Sequence, residues 1–120
     1  MIIYVVDDHE LMRDATVIVI GRLKRDATIR EFSTFEQFIA AVDDSEPPHL
    51  IVLDLKLPDT KEYEGIRRAR SKCLAAKIVV YSAYPAQERA AECFASGADV
   101  YLEKGNGIQD LKECLGTLVI

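Results

Sequence analysis

Short apolar runs, rich in Ile and Val, alternate along the chain with longer stretches of mixed polarity. Three runs are continuous, at residues 2–6, 50–53 and 78–81, and two shorter ones lie around Ile29 and at residues 100–102. Runs of this length that are rich in β-branched residues are typical of strands buried on both faces of a sheet. The pattern therefore predicts five buried strands.

The stretches between these runs carry the periodicity of amphipathic helices. In the second stretch, apolar residues return at the spacing of one helix face, at Phe35, Phe38, Ile39 and Val42. Ser33 or Thr34 is placed to cap this helix, and residues 46–48, Glu-Pro-Pro, are placed to end the segment. Pro85 suits the first turn of a fourth helix, and Gly97 suits its end.

The first helix is the ambiguous element, because residues 16–20 are mostly β-branched and locally favour a strand. The flanking residues 10–15 and 22–25 favour a helix over the whole stretch. Five alternations of strand and helix then predict a mostly parallel sheet with right-handed crossovers. We predict an α/β fold in one domain over residues 1–120, since this length suits a single domain.

Composition and charge narrow the class of protein. The chain is 49% hydrophobic and 29% charged, as expected of a soluble globular domain, and its net charge of −5 argues against nucleic-acid binding by this chain. The basic run at residues 67–72 is therefore expected to face solvent. The N-terminus resembles neither a signal peptide nor a membrane span, and the three cysteines form no C-x-x-C pair. We predict a cytoplasmic protein without membrane contact.

Polar residues capable of chemistry follow four of the predicted strands. Asp7 and Asp8 come after the first strand, Asp54 closes the third, Ser82 closes the fourth and Lys104 follows the fifth. In an open parallel sheet, ligands bind beyond the carboxyl ends of the strands. These five side chains are therefore predicted to meet there.

Three carboxylates in one crevice repel one another, so a cation is expected among them. Mg²⁺ takes carboxylate, water and phosphate oxygens as ligands, and Lys104 adds a fixed positive charge. This set suits phosphoryl transfer to a carboxylate, with Asp54 as the acceptor and with Asp7 and Asp8 as metal ligands. Ser82 and Lys104 would then bind phosphoryl oxygens.

Each of these residues also has an ordinary structural interpretation. Asp7 and Asp8 suit the N-terminus of a helix, and Tyr101 suits packing at the side of the sheet. His9 and His49 have no cysteine or second histidine at metal-ligand spacing, so they are interpreted as structural or exposed residues. The joint placement of the acids, the hydroxyl and the lysine is what favours a functional site.

Four segments resemble the signatures of response regulator receiver domains of two-component signalling: residues 6–9, 53–58, 81–83 and 101–105. The resemblance covers essentially the whole chain. It implies a three-layer flavodoxin-like fold with a five-stranded parallel sheet in the order 2-1-3-4-5. It also implies phosphorylation of Asp54 by a histidine kinase with Mg²⁺, followed by slow self-dephosphorylation and no other enzymatic turnover.

The same resemblance implies further roles. The backbone carbonyl of Lys56 would be a metal ligand, and Ser82 and Tyr101 would form a switch that remodels the face made by the fourth helix, fifth strand and fifth helix. This face would control a phosphorylation-dependent homodimer or another partner. The Asp-Asp-His opening and the Lys104-Gly105 ending resemble receivers joined to helix-turn-helix outputs, which implies a C-terminal DNA-binding domain absent from this chain.

The loop after Asp54 departs from the family pattern. Leu57 stands where Met is usual before Pro58, and the nearest glycine is Gly65. The ammonium group of Lys56 would also lie beside the cation, which would lower metal affinity and alter phosphotransfer.

Two alternative functions remain open. A haloacid-dehalogenase-like phosphatase also uses an Asp nucleophile with Mg²⁺, but it needs a second Asp where this chain has Lys56. A receiver-shaped interaction module that is not phosphorylated would account for the altered loop.

Overall fold

The computed structural model describes residues 1–118. Its strands are β1 (Ile2–Val6), β2 (Thr28–Phe32), β3 (Leu50–Leu53), β4 (Lys77–Ser82) and β5 (Val100–Glu103). Its α-helices are α1 (Glu10–Leu23), α2 (Phe35–Ala41), α3 (Glu62–Lys72), α4 (Ala86–Ser96) and α5 (Ile108–Thr117). All strands are parallel, in the order β2-β1-β3-β4-β5, which confirms the predicted α/β fold and strand order.

Both faces of the sheet are covered by helices, which is why its central strands are continuous apolar runs. One face packs against α2, α3 and α4 through buried residues that include Tyr4, Ile51, Leu53, Phe38 and Ile66. The other face packs against α1 and α5 through Ile3, Val5, Val52, Ile20 and Leu111. The chain therefore forms three layers around the central strands β1, β3 and β4.

Helix α1 includes the β-branched segment at residues 16–20, so the prediction of a helix over the whole stretch is confirmed. Thr16 and Ile20 are the buried positions of this helix, and the Thr16 hydroxyl donates a hydrogen bond to the Met12 carbonyl at 2.9 Å. Burial of one helix face overrides the local preference of β-branched residues for strands, and the internal bond satisfies the buried Thr16 hydroxyl.

Helix α2 is capped as the sequence indicated, but it ends earlier than the Pro residues suggested. The Thr34 hydroxyl accepts a hydrogen bond from the Gln37 backbone N–H at 3.2 Å. The helix ends at Ala41, five residues before the predicted stop at residues 46–48. The reason is a local turn in which the Asp43 carboxylate accepts bonds from both the N–H and the hydroxyl of Ser45.

Arg70 ties together the segments at the amino end of the sheet, where the strands begin. Its guanidinium donates to the Gly97 carbonyl at 3.0 Å and to the Asp99 carboxylate at 2.7 Å. It also donates to three backbone carbonyls near the end of α3, those of Cys73, Leu74 and Ala76. The expectation that the basic run at residues 67–72 faces solvent is therefore wrong for Arg70.

Gly97 ends α4 as predicted, and its backbone explains why a glycine is needed there. Its φ of 120° lies in a region that residues with a Cβ rarely adopt. A Cβ at this position would also lie 2.9 Å from the Cβ of Arg70. The close approach of α4 to Arg70 thus depends on the missing side chain.

Across residues 1–118, no helix has both the length and the apolar character needed to cross a membrane.

Candidate functional site

Asp7 and Asp54 lie side by side at the carboxyl end of the sheet, where the strands finish. Strands β1 and β3 pair with Val6 opposite Leu53, so the next residue of each strand is an acid. The Asp7 N–H donates to the Phe32 carbonyl at 3.0 Å, and the Asp54 N–H donates to the Val6 carbonyl at 2.9 Å. These backbone bonds extend the pairing beyond the strands and hold both acids in buried positions.

Lys104 reaches both acids from the 3₁₀ turn that follows β5. Its Nζ atom is 2.9 Å from Asp7 Oδ2 and 3.4 Å from Asp54 Oδ2. The lysine side chain is only 10% exposed, so its charge is poorly screened by water. One ammonium group therefore offsets part of the negative charge of two buried carboxylates.

Asp54 is the acid whose environment is least satisfied. Its Oδ1 accepts a bond from the Lys56 N–H at 3.3 Å, whereas no donor among the described residues makes a hydrogen bond to the buried Oδ2. Burial raises the pKa of Asp54 to about 6, with Lys104 lowering it and Asp7 raising it further. A buried carboxylate oxygen without a donor is costly, so this end of the sheet favours an added cation or hydrogen-bond donor.

Asp8 and His9 complete a group of possible metal ligands. One ligand atom from each of four residues lies within 4.8 Å of the others, in Asp7, Asp8, His9 and Asp54. The His9 Nδ1 atom is 3.2 Å from Asp7 Oδ1 and 3.4 Å from Asp8 Oδ1. His9 is not predicted as a ligand from the sequence, since it has no cysteine or second histidine at metal-ligand spacing, whereas the nearby ligands are acids. Its position directly after two acids that end a strand was the available signal.

Ser82 and Tyr101 are both bonded to the loop between β4 and α4. Ser82 is buried at the end of β4, and its hydroxyl oxygen accepts a bond from the Tyr84 N–H at 3.1 Å. The half-buried Tyr101 donates its hydroxyl to the Tyr84 carbonyl at 2.7 Å. Because a serine hydroxyl can donate and accept at once, Ser82 keeps its hydrogen for another acceptor.

Glu103 joins the end of β5 to the start of α4. Its carboxylate accepts a bond from the Ala86 N–H at 2.5 Å. Ala86 is the first residue of α4, so Glu103 satisfies one of the free N–H groups of that helix. The bond places a helix anchor one residue before Lys104.

Residues 3–115 match the response regulator receiver domain family. The chain belongs to this family. Receiver domains are signalling switches of two-component systems, and they bind a divalent metal at an acidic pocket. The predicted resemblance is therefore confirmed for the family and for the fold.

Individual relatives agree with this assignment. The chain is 33% identical over 113 residues to the nitrate/nitrite response regulator NarL of Escherichia coli, which covers 94% of the chain and 52% of NarL. It is 26% identical to the DNA-binding transcriptional activator DevR/DosR of Mycobacterium tuberculosis, over 85% of the chain and 46% of that protein. The chain thus spans about half the length of these curated relatives.

A solved structure shows the same fold. The BeF3-activated receiver domain of DrrB, a Thermotoga maritima response regulator, superimposes with a TM-score of 0.76 at 27% identity. The similarity covers 95% of this chain and 92% of that one. The likeness to NarL also agrees with the predicted resemblance to receivers that carry helix-turn-helix outputs.

The loop after Asp54, which departs from the receiver pattern, is fixed to α2. Leu55 and Leu57 are buried, whereas Lys56 between them is exposed. Asp59 accepts bonds from the backbone N–H groups of Phe35 and Glu36, both at 2.9 Å. Slight burial raises the pKa of Asp59, but the hydrogen bonds from these two N–H groups outweigh it, so the pKa lies below its usual value. The altered loop is therefore held in place at the start of α2.

Proposed function

We propose that this receiver domain is switched by phosphorylation of Asp54 by a histidine kinase with Mg²⁺. The observation that carries the proposal is the buried Oδ2 atom of Asp54. This oxygen accepts no hydrogen bond from any donor among residues 1–118, and it lies near Lys104 and Asp7. With a pKa of about 6, the carboxylate is mostly ionised at neutral pH and has a lone pair free for attack on phosphorus.

Three carboxylates suit a hard dication, those of Asp7, Asp8 and Asp54, which we call the acid group. Asp54 Oδ2 accepts no hydrogen bond from the described residues, so it is free to bind a cation. The resemblance to receiver domains implies a further ligand, the backbone carbonyl of Lys56, two residues after Asp54. Bound Mg²⁺ would supply positive charge that offsets the acids and the phosphoryl oxygens.

The side chains around Asp54 divide the remaining work. As the bond from phosphorus to the kinase histidine nitrogen breaks, a new bond forms between phosphorus and a carboxylate oxygen of Asp54. The Lys104 ammonium, already 3.4 Å from Asp54 Oδ2, would pair with a phosphoryl oxygen. The Ser82 hydroxyl would donate its free hydrogen to another phosphoryl oxygen.

The switch would act through the loop that Ser82 and Tyr101 share. If the Ser82 hydroxyl moves toward a phosphoryl group, its bond from the Tyr84 N–H must lengthen. The Tyr84 carbonyl also accepts a hydrogen bond from the Tyr101 hydroxyl, so the same motion would change the position of Tyr101 in β5. Phosphorylation would then alter the face formed by α4, β5 and α5.

This face carries an exposed aromatic residue that suits an interface. Phe94 of α4 is 49% exposed. It lies about 200° around the helix from Ser96, which contacts Arg67 of α3, so Phe94 is on the side away from α3. We propose that this surface pairs with a second copy of the chain or with a DNA-binding output domain. The relative DevR/DosR is a DNA-binding transcriptional activator, which agrees with the second possibility.

Intact mass spectrometry tests the phosphorylation. Incubation with Mg²⁺ and acetyl phosphate should add one phosphoryl group to the wild type and none to Asp54→Asn. The exposed Asp44→Asn serves as the control and should gain the group normally. Absence of any gain in the wild type would contradict the proposal and favour an unphosphorylated interaction module. Sustained release of product from an aryl phosphate would instead favour a phosphatase.

Sedimentation with and without beryllofluoride tests the interface. The phosphoryl mimic should convert the wild type to a dimer, and Phe94→Ser should weaken this dimer. Leu74→Ser is the matched control, because Leu74 is also exposed but lies after α3, away from the proposed face. An equal loss in both variants, or no change in mass with the mimic, would count against this surface.

A further inference from the structure

His9 stands out among the residues near Asp54 because the proposed chemistry gives it no role. It precedes α1 as the N-cap residue, yet its side chain makes no capping bond to the described helix. Its imidazole instead turns toward the acids, with Nδ1 at 3.2 Å from Asp7, 3.4 Å from Asp8 and 3.7 Å from Asp54. A single nitrogen atom thus faces three carboxylates.

Hydrogen bonding alone does not account for this arrangement. A neutral imidazole nitrogen carries either one hydrogen or one lone pair. With a hydrogen it serves one of the three acids, and with a lone pair it faces negative charge on every side. A cation bound by Nδ1 and the carboxylates together would satisfy all of these groups. The buried Oδ2 of Asp54, which has no hydrogen-bond donor among residues 1–118, faces the same space.

The spacing of the ligand atoms agrees with one coordination sphere. Metal bonds of about 2.0–2.2 Å place neighbouring ligands about 2.8–3.1 Å apart in octahedral geometry and about 3.3–3.6 Å apart in tetrahedral geometry. The separations of Nδ1 from Asp7 Oδ1 and Asp8 Oδ1 are 3.2 and 3.4 Å, and the separation from Asp54 Oδ2 is 3.7 Å. One ligand atom from each of the four residues lies within 4.8 Å of the others, so modest adjustments of the side chains would bring these atoms onto one ion.

We propose that His9 supplies a nitrogen ligand to a metal ion bound at this acid group. The site would then bind transition ions that favour imidazole, such as Co²⁺ and Zn²⁺, more tightly than the carboxylates alone would. The reason is chemical class, because Mg²⁺ takes oxygen ligands whereas these ions also bind imidazole strongly. This inference rests on the proposed metal site of Asp7, Asp8 and Asp54. It adds a property of that site, namely which divalent ion His9 selects.

Equilibrium binding of Mg²⁺ and of Co²⁺ to the wild type and to His9→Ala tests the proposal. The variant should lose Co²⁺ affinity by at least about tenfold, a loss that even outer-shell partners of metal sites can cause. Its Mg²⁺ affinity should stay within about twofold of the wild type, because Mg²⁺ makes little use of nitrogen ligands. An equal effect on both ions, or no effect on Co²⁺, would overturn the proposal. His9 is exposed, so the substitution should leave the fold intact.

Proton NMR of the Co²⁺-loaded protein provides a direct readout of the ligand. A hyperfine-shifted, exchangeable imidazole N–H signal should appear in the wild type and be absent from His9→Ala. His49→Ala is the matched control and should keep the signal, since His49 Nδ1 is instead bonded to the Ile2 N–H near the start of β1. A wild type that binds neither ion would refute the proposed metal site as well. Binding of both ions without this signal would refute only the role of His9.

Discussion

The two ends of the sheet differ in how well their charged groups are hydrogen-bonded. At the amino end, Arg70 donates hydrogen bonds to four backbone carbonyls and to the Asp99 carboxylate. At the carboxyl end, one buried oxygen of Asp54 accepts no hydrogen bond from the described residues. Both ends hold buried or half-buried charge, but only the first gives that charge its full set of partners. A satisfied charge stabilises the fold, and an unsatisfied one costs free energy that a ligand can recover. The domain thus has a stabilising charge network at one end of the sheet and an incompletely hydrogen-bonded carboxylate at the other.

Replacing Arg70 should have the largest effect on stability. Arg70→Ala removes all of these donors at once and leaves the partly buried carbonyls and Asp99 without the guanidinium. We expect the free energy of unfolding to fall by about 3–4 kcal/mol, because several hydrogen bonds from one half-buried charged donor are lost together. Urea unfolding followed by circular dichroism measures this change.

Lys72→Ala is the control for Arg70, since Lys72 is an exposed basic residue in the same turn of α3. Its substitution should change stability by no more than about 0.5 kcal/mol. A similar small change in Arg70→Ala would show that the amino end of the sheet does not depend on its guanidinium.

Replacing Asp54 should have a smaller effect of the opposite sign. Because burial raises its pKa from 3.8 to about 6, the folded state binds a proton more tightly than the unfolded state does. Stability contributed by the protonated form is complete below pH 4 and is lost as pH rises through about 6. In metal-free buffer at pH 7, Asp54→Asn should therefore raise the free energy of unfolding by about 2–3 kcal/mol.

The pH dependence distinguishes this effect from a change in packing. The advantage of Asp54→Asn should shrink as pH falls from 6 to 4 and approach zero well below pH 4, where the wild-type carboxyl is protonated in both states. An advantage that is constant between pH 4 and 7, or a destabilised variant at pH 7, would contradict the electrostatic explanation. Thermal unfolding in a chelator at several pH values measures it.

Asp59 offers the smallest of the three tests and sharpens the comparison within the carboxyl end itself. Unlike Asp54, it has both oxygens bonded, to the N–H groups of Phe35 and Glu36 at the start of α2. Asp59→Ala should therefore destabilise the domain, by about 1 kcal/mol, the usual cost of losing a helix cap. Urea unfolding of Asp59→Ala beside Asp54→Asn measures the difference. Stabilisation by both substitutions would mean that negative charge alone, and not missing donors, governs this end.

The sequence was sufficient for the fold because its signals are local and repeated. Continuous Ile and Val runs mark strands covered on both faces, and the five alternations with helices leave few possible topologies. Even α1 was predicted correctly despite residues 16–20, since its flanking residues favour a helix. The early end of α2 at Ala41 was missed, because the turn at Asp43 and Ser45 depends on one side chain bonding the backbone.

Parts of the site were predictable for the same reason, and parts were not. Asp7 and Asp54 directly follow strands, so sheet geometry alone brings them together. The position of His9 directly after Asp7 and Asp8 indicates that its ring lies near these acids, but only the folded structure shows that Nδ1 points toward them. The anchoring of the altered loop by Asp59 and the bonds of Arg70 join residues far apart in the chain. Such contacts exist only after the helices have packed.

The hydrogen bond that Glu103 accepts from the first N–H of α4 connects the surroundings of Asp54 to this helix. Glu103 and Lys104 are neighbours, so a single peptide unit separates the residue whose ammonium lies beside Asp54 from the residue that bonds the first N–H of α4. A displacement of that peptide would reach the start of α4 through one side chain, the Glu103 carboxylate. The chemical shift of the Ala86 amide proton should therefore change when a cation or a phosphoryl group binds at the acid group.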